Sequence, residues 1–154
     1  MKKVMRVYQT CLKLPLGKYI FSKLICLKAP YFASISPRFI ELRPGYCEIL
    51  LRKRRAVTNH LNSVHAIAMC NVSELAAGTM LEASIPEKMR WIPKGMTVSY
   101  LKMAKTDLKA ACKIPAAGLD QPGEFPMEVN LEDENGQKVF TAVITMHLSK
   151  KKEI

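Results

Sequence analysis

The opening forty residues alternate apolar and basic positions at helical spacing. Between residues 2 and 14, Val4, Val7, Tyr8, Cys11 and Leu12 recur at helical intervals, with the lysines and Arg6 largely opposite. Pro15 can end that helix and Gly17 loosens the junction. From Leu16 to Leu27 the spacing predicts a second helix, with Tyr19, Ile20, Phe21, Leu24, Ile25 and Leu27 apolar and Lys18, Lys23 and Lys28 between and after them. Helices of this kind lie on anionic membranes or dock on protein, and docking is the commoner use.

After Pro37 the period changes. Phe39–Arg43 and Tyr46–Leu51, joined by Pro44-Gly45, read as two strands and a tight turn, closed by the basic run Arg52-Lys53-Arg54-Arg55. Residues 63–82 predict the clearest helix, capped by Asn62 or Ser63 and rich in small residues, including Ala66, Ala68, Ala76, Ala77 and Gly78. Such a helix suits deep burial under something that wraps it closely. Strands are expected over Met96–Leu101, Leu108–Ile114, Glu128–Leu131 and Lys138–His147, the last two flanking an Asn135-Gly136 hairpin signal. Residues 150–154 read as a solvated tail. Two strands, a buried helix and about four more strands make an α+β fold, with a helical extension over residues 1–30 and a domain over 31–150.

With 154 residues, 49% of them hydrophobic, the chain can build one packed core. Its five cysteines are odd in number and lack CxxC spacing, which suits a reducing compartment and points away from a disulfide framework or a zinc site. Cys70, inside the segment of interest, reads as a buried, inert thiol. The basic start lacks the apolar core of a signal peptide, because Arg6, Gln9 and Lys13 interrupt it, and no run reaches transmembrane length. The expectation is a cytoplasmic protein, with attachment at the membrane periphery left open. The net charge of +11 is confined to residues 1–55, which hold 13 Lys or Arg against Glu41 and Glu48, while residues 56–154 hold 11 of each sign. That third of the chain should meet something anionic. Nucleic acid is not expected, for want of a recognisable module or an aromatic-basic platform.

The chemistry concentrates between Asn59 and Glu74. The polar stretch Asn59-His60-Leu61-Asn62-Ser63-Val64-His65-Ala66 precedes a helix N-terminus, where free N–H groups and the dipole favour an oxyanion. Glu74 follows His65 by nine residues on a helix nearly without charge, a setting that disfavours the ionised carboxylate and suits a general base. Against this, Glu74 could be a buried carboxylate satisfied by Asn59 or a backbone group, Asn59 an Asx-turn residue, and His60 and His65 capping residues. A metal site lacks a third ligand of suitable spacing, and no GxSxG, GxGxxG or P-loop is present.

In the order Asn, five residues, His with a small residue after it, then an acid nine beyond that His, the chain resembles hotdog-fold thioesterases of the phenylacetate-degradation type. The words Thr58-Asn59-His60, Val64-His65-Ala66-Ile67-Ala68, Glu74-Leu75-Ala76-Ala77-Gly78 and Pro93-Lys94-Gly95-Met96 place it nearest a little-characterised branch, over roughly residues 35–150. The resemblance implies an antiparallel sheet wrapped around a long helix and a homodimer or homotetramer. It also implies an acyl-CoA substrate, with no cofactor beyond the coenzyme A that the substrate carries. By position, Glu74 matches the catalytic acid, Asn59 the residue placing water or substrate, His65 the loop histidine, and the Ala66 N–H the amide that polarises the carbonyl. Two departures stand out: Ala66 replaces the usual glycine, and Glu the commoner Asp. Arg52, Arg54, Arg55 and Lys94 are candidates for the coenzyme A phosphates. Two other functions compete with hydrolysis. One is a 3-hydroxyacyl thioester dehydratase using His60 and Glu74; the other is a non-enzymatic acyl- or lipid-binding module held at an anionic membrane by residues 2–28.

Overall fold

The computed structural model describes residues 2–114 and 118–151. Among the described residues three α-helices, α1 (Lys3–Leu12), α2 (Gly17–Lys28) and α3 (Ala66–Ser84), and two short 3-10 turns accompany six strands: β1 (Arg38–Arg43), β2 (Tyr46–Leu51), β3 (Met89–Tyr100), β4 (Leu108–Lys113), β5 (Gly123–Glu132) and β6 (Lys138–Lys150). The strands form one sheet in the order β1-β2-β4-β5-β6-β3, and every neighbouring pair is antiparallel. α3 packs against all six strands, and Val72, Ala76, Ala77, Met80 and Leu81 on it are fully buried. This is the hotdog arrangement, a long helix held in a wrapped sheet, as the pattern of small residues on α3 implied.

Local chemistry sets the ends. Gly45, at a φ of 77°, makes the β1–β2 turn, and its N–H donates to Ser84 Oγ at 2.9 Å, tying the hairpin to the end of α3. Gly136, at 74°, closes the β5–β6 hairpin, where Asp133 Oδ1 accepts from the N–H groups of Asn135 and Gln137.

Two strands run longer than the sequence suggested. β3 begins at Met89 rather than Met96, because the chain absorbs Pro93 in a bulge between Pro93 and Gly95 on an edge strand. β5 begins at Gly123 and contains Pro126, which lies where β5 pairs with β6 but not with β4, so the missing N–H interrupts no second ladder. β6 continues to Lys150, where a tail was expected; residues 152–154 of that tail lie outside the described residues.

The N-terminal helices dock on the domain through one face each. Met5, Tyr8 and Cys11 of α1 and Gly17, Phe21 and Ser22 of α2 are buried. Edge-to-face contacts of 4.9 Å join Tyr8 to Phe21 and Phe21 to Phe39, linking α1, α2 and β1. Ser22 Oγ donates to the Lys18 carbonyl at 2.8 Å and accepts from the Phe39 N–H at 3.0 Å, so one hydroxyl fastens α2 to the first strand. Among the described residues, no helix is long and apolar enough to cross a membrane.

Candidate active site

The loop before α3 is organised by Asn59. Its Oδ1 accepts from the Leu61 N–H at 3.0 Å, the Ser63 N–H at 3.2 Å and the Ser63 hydroxyl at 3.1 Å. This is the Asx-turn geometry, and it leaves Asn62 at a left-handed φ of 54°. A bridge between Thr58 and Val64, with the Val64 N–H donating to the Ala104 carbonyl and the His65 N–H to the Val57 carbonyl, fixes where the helix may start.

That start is Ala66, three residues later than expected, because the loop engages Asn62 and Ser63 before they can cap. The cap is His65, whose Nδ1 accepts from the Ile67 N–H at 3.1 Å while its carbonyl receives Ala68 and Met69. Ala66 is left as a first-turn amide with no acceptor among the described residues. His60 and His65 are exposed, and His60 does not line the cavity that holds Glu74.

Glu74 is half-buried and forms no hydrogen bond or ion pair among the described residues, so neither Asn59 nor a backbone group satisfies it. It stands in the wall of a groove of about 620 Å³ between α3 and the N-terminal helices. The apolar lining includes Val4, Val7, Phe21, Ile25, Leu75 and Trp91, with Lys3, Lys28 and Lys151 also lining it. A volume of this size is typical of small-molecule sites. That Lys3, Lys28 and Lys151 meet around Glu74 was not legible in the sequence, since only the tertiary fold brings residues 3, 28 and 151 to one cavity.

Beside Glu74 on α3, Gly78 admits the Trp91 indole: a Cβ there would lie 2.6 Å from the Trp91 ring. Trp91 Nε1 donates to Glu82 Oε2 at 3.0 Å, and Lys2 Nζ stands 3.9 Å from Glu82, so this second carboxylate is engaged where Glu74 is not. At the other end of the same stripe, Cys70 Sγ lies 3.8 Å from Tyr100 Oη. Cys70 is half-buried rather than buried, and its hydrogen bond pushes the Tyr100 hydroxyl pKa up. β3 therefore runs antiparallel alongside the stripe Ile67, Cys70, Glu74, Gly78 and Glu82.

The basic candidates do not gather around Glu74. Arg52 and Arg54 line a separate cavity of about 770 Å³ on the other side of α2, and neither Arg55 nor Lys94 lines either cavity. Lys94 is exposed at the β3 bulge, on the edge strand remote from β2 in the sheet. Among the described residues, no group of three His, Cys, Asp or Glu side chains could hold a metal.

Residues 17–148 match the family described as Domain of unknown function (DUF4442). The chain belongs to that family. The crystal structure of the structural-genomics target APC5556 is 44% identical, superposes with a TM-score of 0.86, and pairs 96% of this chain with 99% of its own. Thioesterase HI1161 from Haemophilus influenzae superposes with a TM-score of 0.71 at 8% identity, over 80% of this chain and 85% of its own. A thioesterase family protein from Silicibacter pomeroyi gives 0.71 at 17% identity, over 86% and 99%. At such identities the likeness is one of fold alone, the hotdog arrangement of a long helix in a wrapped antiparallel sheet. No curated protein matches the chain.

Proposed function

We propose that this DUF4442 protein hydrolyses an acyl-CoA thioester, with Glu74 as general base. The observation that carries the reading is a half-buried carboxylate with no partner among the described residues, in the wall of a largely apolar groove. The fold it shares with proteins named thioesterases supports the reaction class. The acyl chain lies along the groove, and Lys3, Lys28 and Lys151 offer charge to the carrier's phosphates. Glu74 takes a proton from a water molecule as the water oxygen bonds to the thioester carbon. The carbonyl oxygen, now bearing negative charge, is met by the Ala66 N–H at the helix start. Collapse breaks the carbon–sulfur bond, and the proton passes from Glu74 to the departing thiolate.

One chain does not assemble this site alone. Ala66 and Glu74 are eight residues apart on α3, or about 12 Å along the axis, whereas both must reach one carbonyl group. The reading therefore includes a second copy seated along β3, a twelve-residue edge strand carrying exposed Ile92 and Tyr100. Because β3 flanks the Glu74 stripe, whatever covers that edge lies next to the stripe as well.

The test is thiol release from acyl-CoAs of increasing chain length by wild type and Glu74→Gln. Wild type should turn over at least one chain length, and the variant should lose about 10²–10⁴ in kcat while keeping its melting temperature. No thiol from any substrate would sink the reading, and tight acyl-CoA binding without turnover in both forms would replace it with an acyl-binding module.

A further inference from the structure

The side of α2 turned away from the Phe21 contact is left uncovered. At helical spacing, Leu16, Tyr19, Lys23 and Leu27 form one stripe on it, opposite buried Phe21. Leu16 and Leu27 are each 78% exposed, and Tyr31, just beyond the helix, is 70% exposed. Scattered exposed leucines need no explanation, but these follow directly on Leu12 and Leu14, which are also exposed in the preceding corner. Leu16 also holds a left-handed φ of 59°, which an asparagine or glycine would adopt at lower cost, so the turn itself does not call for leucine.

The charge around the stripe has one sign. No Asp or Glu occurs before Glu41, while Arg6, Lys13, Lys18, Lys23 and Lys28 lie on or between the two helices. The cavity of about 770 Å³ opens beside the stripe, sharing Tyr19, Lys23 and Leu27 with it and lined further by Arg38, Arg52, Lys53 and Arg54. Of its basic side chains only Arg52 has a carboxylate within ion-pair distance among the described residues, Asp107 at 3.8 Å. Arg54 Nη2 donates to the Ser34 carbonyl, but Arg54 Nε is buried with no acceptor among the described residues. A polyanion alone would match the cations but not the leucines, and an apolar protein face the reverse.

From this surface we infer that α2 docks on an anionic phospholipid bilayer. Leu16, Tyr19, Leu27 and Tyr31 enter the boundary between headgroups and acyl chains, and the neighbouring basic cavity receives lipid phosphates. The inference is independent of the hydrolysis reading, because Glu74 opens on the other side of α2 and the test reads membrane binding alone.

The experiment is co-sedimentation of the full chain with two kinds of vesicle, phosphatidylcholine alone or with about one third phosphatidylserine. Wild type should pellet with the mixed vesicles only, and less as salt is raised. Leu16→Asn with Leu27→Ser, both exposed and with asparagine suited to the left-handed turn, should weaken partitioning roughly tenfold or more with an unchanged melting temperature. Three outcomes would overturn the inference: no pelleting of wild type, equal pelleting of wild type and variant, or equal pelleting with both vesicles. So would a change in oligomeric state in the double variant, which would show that a second copy covers this face, or nuclease-sensitive pelleting, which would show nucleic acid.

Discussion

Asn59 and His65 use their side-chain acceptors on N–H and hydroxyl groups of their own segment. Asn59 Oδ1 receives three donors from the loop, and His65 Nδ1 caps α3. Of the four residues matched to the thioesterase pattern, the Glu74 carboxylate and the Ala66 N–H are left wholly without a partner among the described residues, while Asn59 and His65 keep only Nδ2 and Nε2 open. The amide can be removed alone. Ala66 is the first residue of α3, a position where proline fits, and His65 already has the extended ψ of 139° that a residue before proline requires. Ala66→Pro should therefore keep the melting temperature while lowering kcat by about 10²–10³, the usual effect of losing one oxyanion donor. A parallel fall in melting temperature would instead mark Ala66 as a structural position. The sequence already offered the Asx turn for Asn59 and the cap for His65, since their partners lie within four residues, but spacing alone could not choose between those roles and catalysis; the Thr58–Val64 bridge and the Ala104 contact hold the loop in that form.

At the level of elements, the legible features are those governed by local rules. The order of two strands, helix and four strands is as the periodicity indicated, and the glycine turns at Gly45 and Gly136 sit where Pro-Gly and Asn-Gly stood. The early halves of β3 and β5 were hidden by Pro93 and Pro126, since proline reads as a breaker until the strand is known to have an open side. The central pairing of β2 with β4 sets Cys47 opposite Cys112, both buried. Burial pushes the Cys47 thiol well above its ordinary value and the Cys112 thiol up to about 12. Both folded values lie above the unfolded one of 9.0, so the contribution is full below that pH and is lost above it, for Cys112 as pH rises toward about 12. Urea unfolding of wild type and Cys112→Ala between about pH 8 and 11 should show a shallower alkaline decline in the variant. Equal slopes would show that Cys112 does not govern it, leaving the decline to Cys47 and the raised tyrosines.

For the whole molecule, the separation of Ala66 from Glu74 makes a prediction that a self-contained site would not. Mixing inactive Glu74→Gln with inactive Ala66→Pro subunits should restore activity, toward roughly one quarter of wild type at equal amounts, since half the dimers are mixed and each holds one intact pair. No recovery after verified subunit exchange would place the whole site within one chain. The amide and the carboxylate also owe their directions to fastenings at the two ends of α3. α3 is held at its start by the His65 nitrogen and the loop crossing, and at its end by the Ser84 hydroxyl under the β1–β2 turn. A slip of one residue would rotate every side chain on it by about 100°. With both ends pinned, the helix behaves as an axle locked in its bearings, and Glu74 keeps facing the groove instead of turning into the sheet.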